Sequence, residues 1–268
     1  MATIHLNDTS LYYEDTGGSG APIVFSHRLL WNTNLFAPQI AALAGRYRCV
    51  AYDHRGQGRS PESIYRSVSM ESLTADAVAL VEALGLDPVH FCGLSMGGFV
   101  AMRLAVARPD LIRSLVLMET SADPETFASK TKYRALNLLA RLFGPSLIAN
   151  AVMPIMFGKT ALKDPDRATE RSEWKKQMLS NRPSIWRAVN GVIEREGVYD
   201  TLEKITAPTL VIVGDEDVAT VPAKAQRIAT AIKGARLVVI PRAGHCATVE
   251  QPNAVTGAIA TFFGEVES

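Results

Sequence analysis

Pro88-Val89-His90-Phe91-Cys92 runs without a break into Gly93-Leu94-Ser95-Met96-Gly97-Gly98, and apolar residues at helical spacing follow from Phe99 to Arg108. A short apolar run with no polar alternation reads as a strand covered on both faces, as in a parallel sheet packed between helices. Gly93, Ser95 and Gly97 form G-x-S-x-G, so Ser95 sits where a strand turns sharply into a helix. So tight a turn strains the backbone and needs small neighbours. It lifts the hydroxyl clear of the sheet, where a base and a substrate can both reach it, and points the Met96 amide at the same space. Gly makes up about 7% of an average chain, so the bare pattern is a frequent accident. The strand before it, the helix after it and the additional Gly98 give it weight.

The same kind of run recurs at Pro22–Ser26, Arg48–Tyr52, Leu115–Met118, Thr209–Val213 and Leu237–Ile240. Helical patterns lie between these runs, near 35–43, 70–84, 222–232 and 253–263, and Gly85 is placed to end the second. Thr3–Asn7 and Leu11–Asp15 alternate apolar and polar residues around turn chemistry, which predicts an antiparallel hairpin on a sheet edge. From Ala122 to Gly197 the buried-strand rhythm stops. Helical patterns near 133–143, 146–157, 168–179 and 184–196 take over, separated by Gly144-Pro145, Gly158, Pro165 and Pro183. The chain is therefore expected to be α/β, with a mostly parallel, doubly wound sheet of eight strands. Residues 1–121 and 198–268 are expected to form its core domain, and 122–197 a helical cap insertion.

Composition narrows the function classes. The chain has 268 residues, 47% of them hydrophobic, enough for a sizeable core. A net charge of +1 offers no overall field for nucleic acid or an anionic membrane, so neither is expected as a partner. Cys49, Cys92 and Cys246 are too few and too scattered for a disulfide framework or a metal cage. The N-terminal residues lack the basic and apolar regions of a signal peptide, and no apolar run reaches membrane-spanning length. A cytoplasmic protein is the expectation. Gly56-x-Gly58 lacks the third glycine of a dinucleotide fingerprint and is followed by Pro61.

In a doubly wound sheet, ligands bind beyond the carboxyl ends of the strands. Ser26-His27, Asp53, Ser95, Glu119, Asp215, Asp217 and His245 all fall at or just past those ends. A serine hydroxyl needs a neighbouring base, usually histidine. Of the five histidines, His245 is the candidate, because it follows a late strand and comes after an acidic strand end. The acid that orients it is expected to be Asp217. Asp215, better suited to shaping the turn, and Glu119, at the end of another strand, are the rivals. The order Ser, Asp, His is that of the α/β-hydrolase arrangement. The oxyanion of an acyl-transfer intermediate needs donors, for which the Met96 and Leu29 amides are the candidates.

With these residues in place the chain resembles the α/β-hydrolase superfamily over nearly its full length. The resemblance rests on Ser26-His27 with Leu29, the stretch from Asp53 to Ser60, Gly93 to Gly98, Gly214-Asp215-Glu216-Asp217 and Gly244-His245. His90 to Gly98 and Val249-Glu250-Gln251-Pro252 are most similar to the 3-oxoadipate enol-lactonase-like group and its bacterial esterase and perhydrolase relatives. The resemblance implies a Ser-His-Asp acyl hydrolase with a helical cap and with neither cofactor nor metal. A serine nucleophile separates it from relatives that use aspartate there. The reading is a carboxylesterase for small to medium esters. An enol-lactonase or carbon–carbon bond hydrolase on the same residues is the first alternative, and a small-molecule receptor with negligible turnover the second. A catalytically dead scaffold is a weaker third. The partner is a small ester or lactone, and the oligomeric state is not legible.

Many relatives have His-Gly where this chain has His27-Arg28. Arg28 points to solvent, or it meets a substrate carboxylate, where a bidentate guanidinium would suit, or narrows the acyl pocket. Trp31, Met153, Phe157 and Trp186 are the further candidates for the substrate pocket. They are drawn partly from the cap's large apolar residues, Phe127, Tyr133, Phe143, Met153, Met156, Phe157, Trp174 and Trp186.

Overall fold

The strands form where the apolar runs lie. In the computed structural model, which describes residues 2–62 and 68–268, these are β1 (Ala2–Leu6), β2 (Thr9–Asp15), β3 (Pro22–Ser26), β4 (Arg48–Tyr52), β5 (Val89–Leu94), β6 (Ile112–Met118), β7 (Thr209–Gly214) and β8 (Arg236–Ile240). They make one eight-stranded sheet in the order β1-β2-β4-β3-β5-β6-β7-β8. β1 pairs antiparallel with β2, and β2 with β4, while every other pairing is parallel. Every residue of β5 and β7 is buried, as their unbroken apolar sequences require. The mostly parallel α/β sheet expected from the sequence is present. Of the first expected domain span, residues 1 and 63–67 lie outside the described residues.

Helices cover both faces. α1 (Ala37–Leu43), α2 (Met70–Ala83) and α3 (Met96–Ala107) belong to the first half of the chain. Between β6 and β7 come α4 (Phe127–Phe143), α5 (Ala149–Met156), α6 (Lys159–Lys163), α7 (Ala168–Leu179) and α8 (Trp186–Glu194). α9 (Pro222–Ala231), α10 (Ala247–Glu250) and α11 (Pro252–Glu267) complete the set. One core layer joins Leu73 and Leu80 of α2, Phe99 and Met102 of α3, and Ile228 of α9. The other joins Leu43 of α1 to Val255, Ile259 and Phe263 of α11.

Local signals set the element ends. The Ser69 hydroxyl accepts the Ser72 amide at 3.1 Å and starts α2, and Gly85 with φ +58° closes it. α4 begins earlier than apolar spacing indicates, because Thr126 caps it by accepting the Ser129 amide at 3.2 Å. α6 is a single short helix that periodicity did not reveal. The expected helix at 35–43 opens as a 3-10 turn (Thr33–Phe36) before α1.

The chain leaves β3 for β4 on one side and returns to β5 on the other, so the strand order reverses between β3 and β5. The carboxyl ends of these two strands border the crevice that such a reversal opens. A Cβ on Gly97 would collide with the Ser26 carbonyl, so glycine there lets the loop after β3 approach the start of α3. Among the described residues, no helix is long and apolar enough to cross a membrane.

Candidate active site

Ser95 follows β5 with φ +53° and ψ −107°, the conformation of a residue caught between a strand and a helix. Two hydrogen bonds hold it there. The Ser95 amide donates to the Met118 carbonyl at 2.8 Å, and the Thr120 hydroxyl donates to the Ser95 carbonyl at 2.9 Å. Its own hydroxyl lies 2.8 Å from His245 Nε2. On the far side of the ring, Nδ1 lies 2.8 Å from Asp217 Oδ2. The structure therefore brings together Ser95, His245 and Asp217 from three separate strand ends.

Asp217 is held from several sides. Its Oδ1 accepts the Ala219 amide at 2.8 Å and the Thr220 amide at 2.9 Å. The Thr220 hydroxyl donates to Oδ2 at 2.7 Å and sits 3.2 Å from His245 Nδ1. Burial alone would raise the Asp217 pKa, but the His245 interaction and these donors together hold it at about 2. Burial pushes the His245 pKa below the ordinary histidine value, Asp217 partly restores it, and the charge of Arg28 lowers it again. A buried neutral imidazole between a hydroxyl and a carboxylate can accept the hydroxyl proton and keep its charged form stabilised.

The rival acids lie elsewhere. Both Glu119 carboxylate oxygens are buried without a hydrogen-bond partner, so Glu119 does not bond His245, and burial raises its pKa well above the usual range. Asp215 serves the turn instead, its amide donating to the Ile240 carbonyl and its Oδ1 accepting the Ala243 amide at 3.4 Å.

Met96 is the first residue of α3, so its amide has no acceptor within the helix. Leu29 lines the same cavity as Ser95 and His245. A network anchors that loop. The His54 amide donates to His27 Nε2 at 3.0 Å, and His27 Nδ1 meets the Arg28 carbonyl at 2.7 Å. Gln57 accepts the Leu30 amide at 3.1 Å while its Nε2 lies 3.7 Å from the Met96 sulfur, tying the loop that carries Leu29 to the Met96 side chain. Asp53 accepts the Thr33 amide at 2.9 Å and the Arg59 amide at 2.8 Å.

The cavity over Ser95 has a volume of about 160 Å³ and is walled mainly by apolar side chains, among them Phe99, Ile155, Met156, Val189 and Ile193. Arg28 and Glu125 also border it, and Glu125 is paired with Arg195 at 2.8 Å. The pocket expectations need correction. Arg28 does not point to solvent: it is 2% exposed, with Nη1 against the Cys246 sulfur and its guanidinium 4.3 Å from the Trp31 ring centre. Trp31 is therefore buried beneath Arg28 and does not line the cavity. Met153 and Phe157 pack into the layer under α11, and Trp186 lies under the Arg141 guanidinium at 4.5 Å. Of the aromatics and methionines between β6 and β7, Tyr133, Met156 and Met178 line the cavity, while Phe127 and Phe143 are exposed.

Two supporting residues escaped the sequence reading. Thr220 stands three residues after Asp217, a spacing that suits a carboxylate-capped turn. Glu250 is buried and gathers three amides, from Gly244 at 3.0 Å, Cys246 at 3.2 Å and Gly158 at 2.8 Å, which fixes the backbone on both sides of His245. An acidic residue in the apolar surroundings of Val249 was the available signal.

The fold recurs in known proteins. An esterase from Thermogutta terrifontis superposes with TM-score 0.92 at 29% identity, covering 100% of both chains. The enol-lactonase of Burkholderia xenovorans LB400 superposes with TM-score 0.91 at 28% identity, covering 98% of this chain and 100% of its own. A Mycobacterium tuberculosis protein provisionally named non-heme bromoperoxidase BpoC is 31% identical, covering 97% of this chain and 99% of its own length. The model of the alpha/beta hydrolase fold family matches residues 21–252, and the chain belongs to that family.

Proposed function

We propose that the chain is a carboxylic ester hydrolase that works through an acyl-enzyme on Ser95, with residues 122–197 as a cap over the site. The observation that carries this reading is the Ser95–His245–Asp217 contact series, 2.8 Å at each step, at the floor of an apolar cavity. Ser95 Oγ attacks the ester carbonyl as His245 Nε2 takes its proton. Asp217 keeps the ring oriented and stabilises the imidazolium. The Met96 and Leu29 amides receive the developing oxyanion, a contribution of about 3–4 kcal/mol each where such donors have been removed. His245 then hands the proton to the leaving alcohol. Water, deprotonated by the same ring, attacks the acyl carbonyl and frees Ser95.

A lactone is a cyclic ester, so the enol-lactonase reading uses the same steps, and the likeness to the Burkholderia enol-lactonase supports keeping it as the second reading. Arg28 beside the cavity favours testing carboxylate-bearing substrates with both. The test is steady-state hydrolysis of p-nitrophenyl acetate, butyrate and octanoate by the wild type and Ser95→Ala. A fall of roughly 10⁴ to 10⁶ in kcat in the variant supports the acyl-enzyme reading. Equal, negligible rates together with tight ligand binding would instead support a receptor. Faster turnover of lactones than of open esters favours the second reading.

A further inference from the structure

α4 turns one face to the cavity, through Tyr133, Leu136, Asn137 and Ala140. Among the described residues, none covers its opposite face. Phe127, Leu138, Leu139, Leu142 and Phe143, with Leu147 in the turn beyond, are between 39% and 85% exposed, and α4 has no fully buried residue. Apolar residues placed this way and this close together mark an interaction surface.

The charges beside them select the partner. α4 carries Lys130, Lys132, Arg134 and Arg141 and no acidic residue, and none occurs from Thr126 through Lys163. On the helix, Lys132 falls between Leu139 and Phe143, while Arg134 and Arg141 flank Phe127 and Leu138 on the other side. Glu194 pairs with Arg134 at 2.7 Å and stands 3.7 Å from Lys130. Residues 122–197 hold thirteen Lys and Arg against eight Asp and Glu, whereas the whole chain is only +1. The near-neutral total, which argued against an anionic membrane, conceals a strongly cationic helical segment.

We propose that this face of α4 docks the protein on an anionic phospholipid surface, with the apolar stripe at the boundary of the acyl region and the flanking cations among the head groups. A basic amphipathic helix with Phe and Leu on its apolar side is built for that position. A second copy of the chain fits poorly, because stripe-to-stripe packing would set two cationic clusters against each other. The proposal goes beyond ester hydrolysis and does not depend on it, since binding is measured without turnover.

The experiment is co-sedimentation of the purified protein with vesicles of phosphatidylcholine alone and of equal parts phosphatidylcholine and phosphatidylglycerol, at low and high salt. Binding at least about tenfold stronger to the anionic vesicles, weakened by salt, is expected. Leu138→Asp/Leu142→Asp and, separately, Lys132→Glu/Arg141→Glu each lower it about tenfold or more. Neither pair lines the cavity, so hydrolysis of a water-soluble ester and the circular dichroism spectrum stay unchanged and report that the variants fold. Absence of binding at low salt, or equal binding to neutral and anionic vesicles, overturns the proposal. So does a dimer in sedimentation velocity that the leucine variant dissociates, which assigns the stripe to a second copy.

Discussion

Ser95 holds a backbone conformation that a side chain resists, and such strain costs about 1–3 kcal/mol. Ser95→Ala keeps the Cβ and the strain, whereas Ser95→Gly removes both. We predict that both variants are inactive and that Ser95→Gly is the more stable by about 1 kcal/mol in urea denaturation, once the greater unfolded-state freedom of glycine is included. His245 must be neutral to accept the Ser95 proton. Burial sets its pKa below the ordinary value, so kcat/KM is expected to be level at neutral pH and to fall with a single proton on the acid side of the ordinary histidine range. The Arg28 charge contributes to that lowering. Removing it in Arg28→Met makes protonation easier, so the acid limb of the pH profile moves to higher pH; a limb that stays put or moves down refutes the coupling. Glu250 accepts three amides around His245, and Gln in its place has one acceptor oxygen and turns a donor toward an amide. Glu250→Gln is expected to lower kcat by roughly ten- to a hundredfold, from about 1–3 kcal/mol of unsatisfied polar groups, with KM little changed because Glu250 lies outside the cavity.

At the scale of elements, legibility followed the number of faces an element buries. β5 and β7, buried throughout, announced themselves as unbroken apolar runs, and their carboxyl ends led to Ser95 and Asp217. The helices between β6 and β7 are buried at few positions, and a 3.6-residue period shows that a face exists without showing what it meets. Hence Tyr133 and Met156 face the cavity while Phe127 and Phe143 face outward, although all four look alike in sequence. Thr220 and Glu250 were hidden for another reason: they act on a carboxylate and on backbone amides, and neither the three-residue step from Asp217 to Thr220 nor an acid beside Val249 says which group it would meet. Attachment also differs among these helices. Asn181, past the end of α7, donates to the Leu30 carbonyl at 2.7 Å, and Arg167, before its start, donates to the Val249 and Glu250 carbonyls at 2.9 and 3.0 Å. α4 has no buried residue and is held largely through Asn137 to Trp186 and Asn190 and through Arg134 to Glu194. Hydrogen exchange followed by mass spectrometry is therefore expected to show faster exchange in 127–143 than in 96–107, where α3 is mostly buried. Equal protection of the two segments would mean that α4 opens only with the whole fold.

Across the whole molecule, the cavity exists only because two parts meet. The sheet ends supply Ser95, His245 and Leu29, and the helices between β6 and β7 supply Ile155, Met156 and Val189. On the proposed reading, the chemistry belongs to one part and the choice of acyl group to the other. Each methylene buried against such a wall is worth about 0.8 kcal/mol, a factor of about four in kcat/KM. The p-nitrophenyl ester series should climb by that factor per carbon until the cavity, about 160 Å³, is full, and then level or fall. Val189 on α8 gives a way to move that limit without touching Ser95, His245 or Asp217. Val189→Trp fills part of the cavity, so the preferred chain is expected to shorten, with octanoate losing about tenfold or more relative to acetate through one to three kcal/mol of lost acyl binding. Acetate turnover should hold, because its short acyl group depends least on the apolar wall. If octanoate and acetate fell together, the helical segment would be shaping the catalytic geometry as well as the pocket. If neither changed, the acyl chain would have to leave Ser95 by another wall, with the loop at Leu29 and Leu30 the next to substitute.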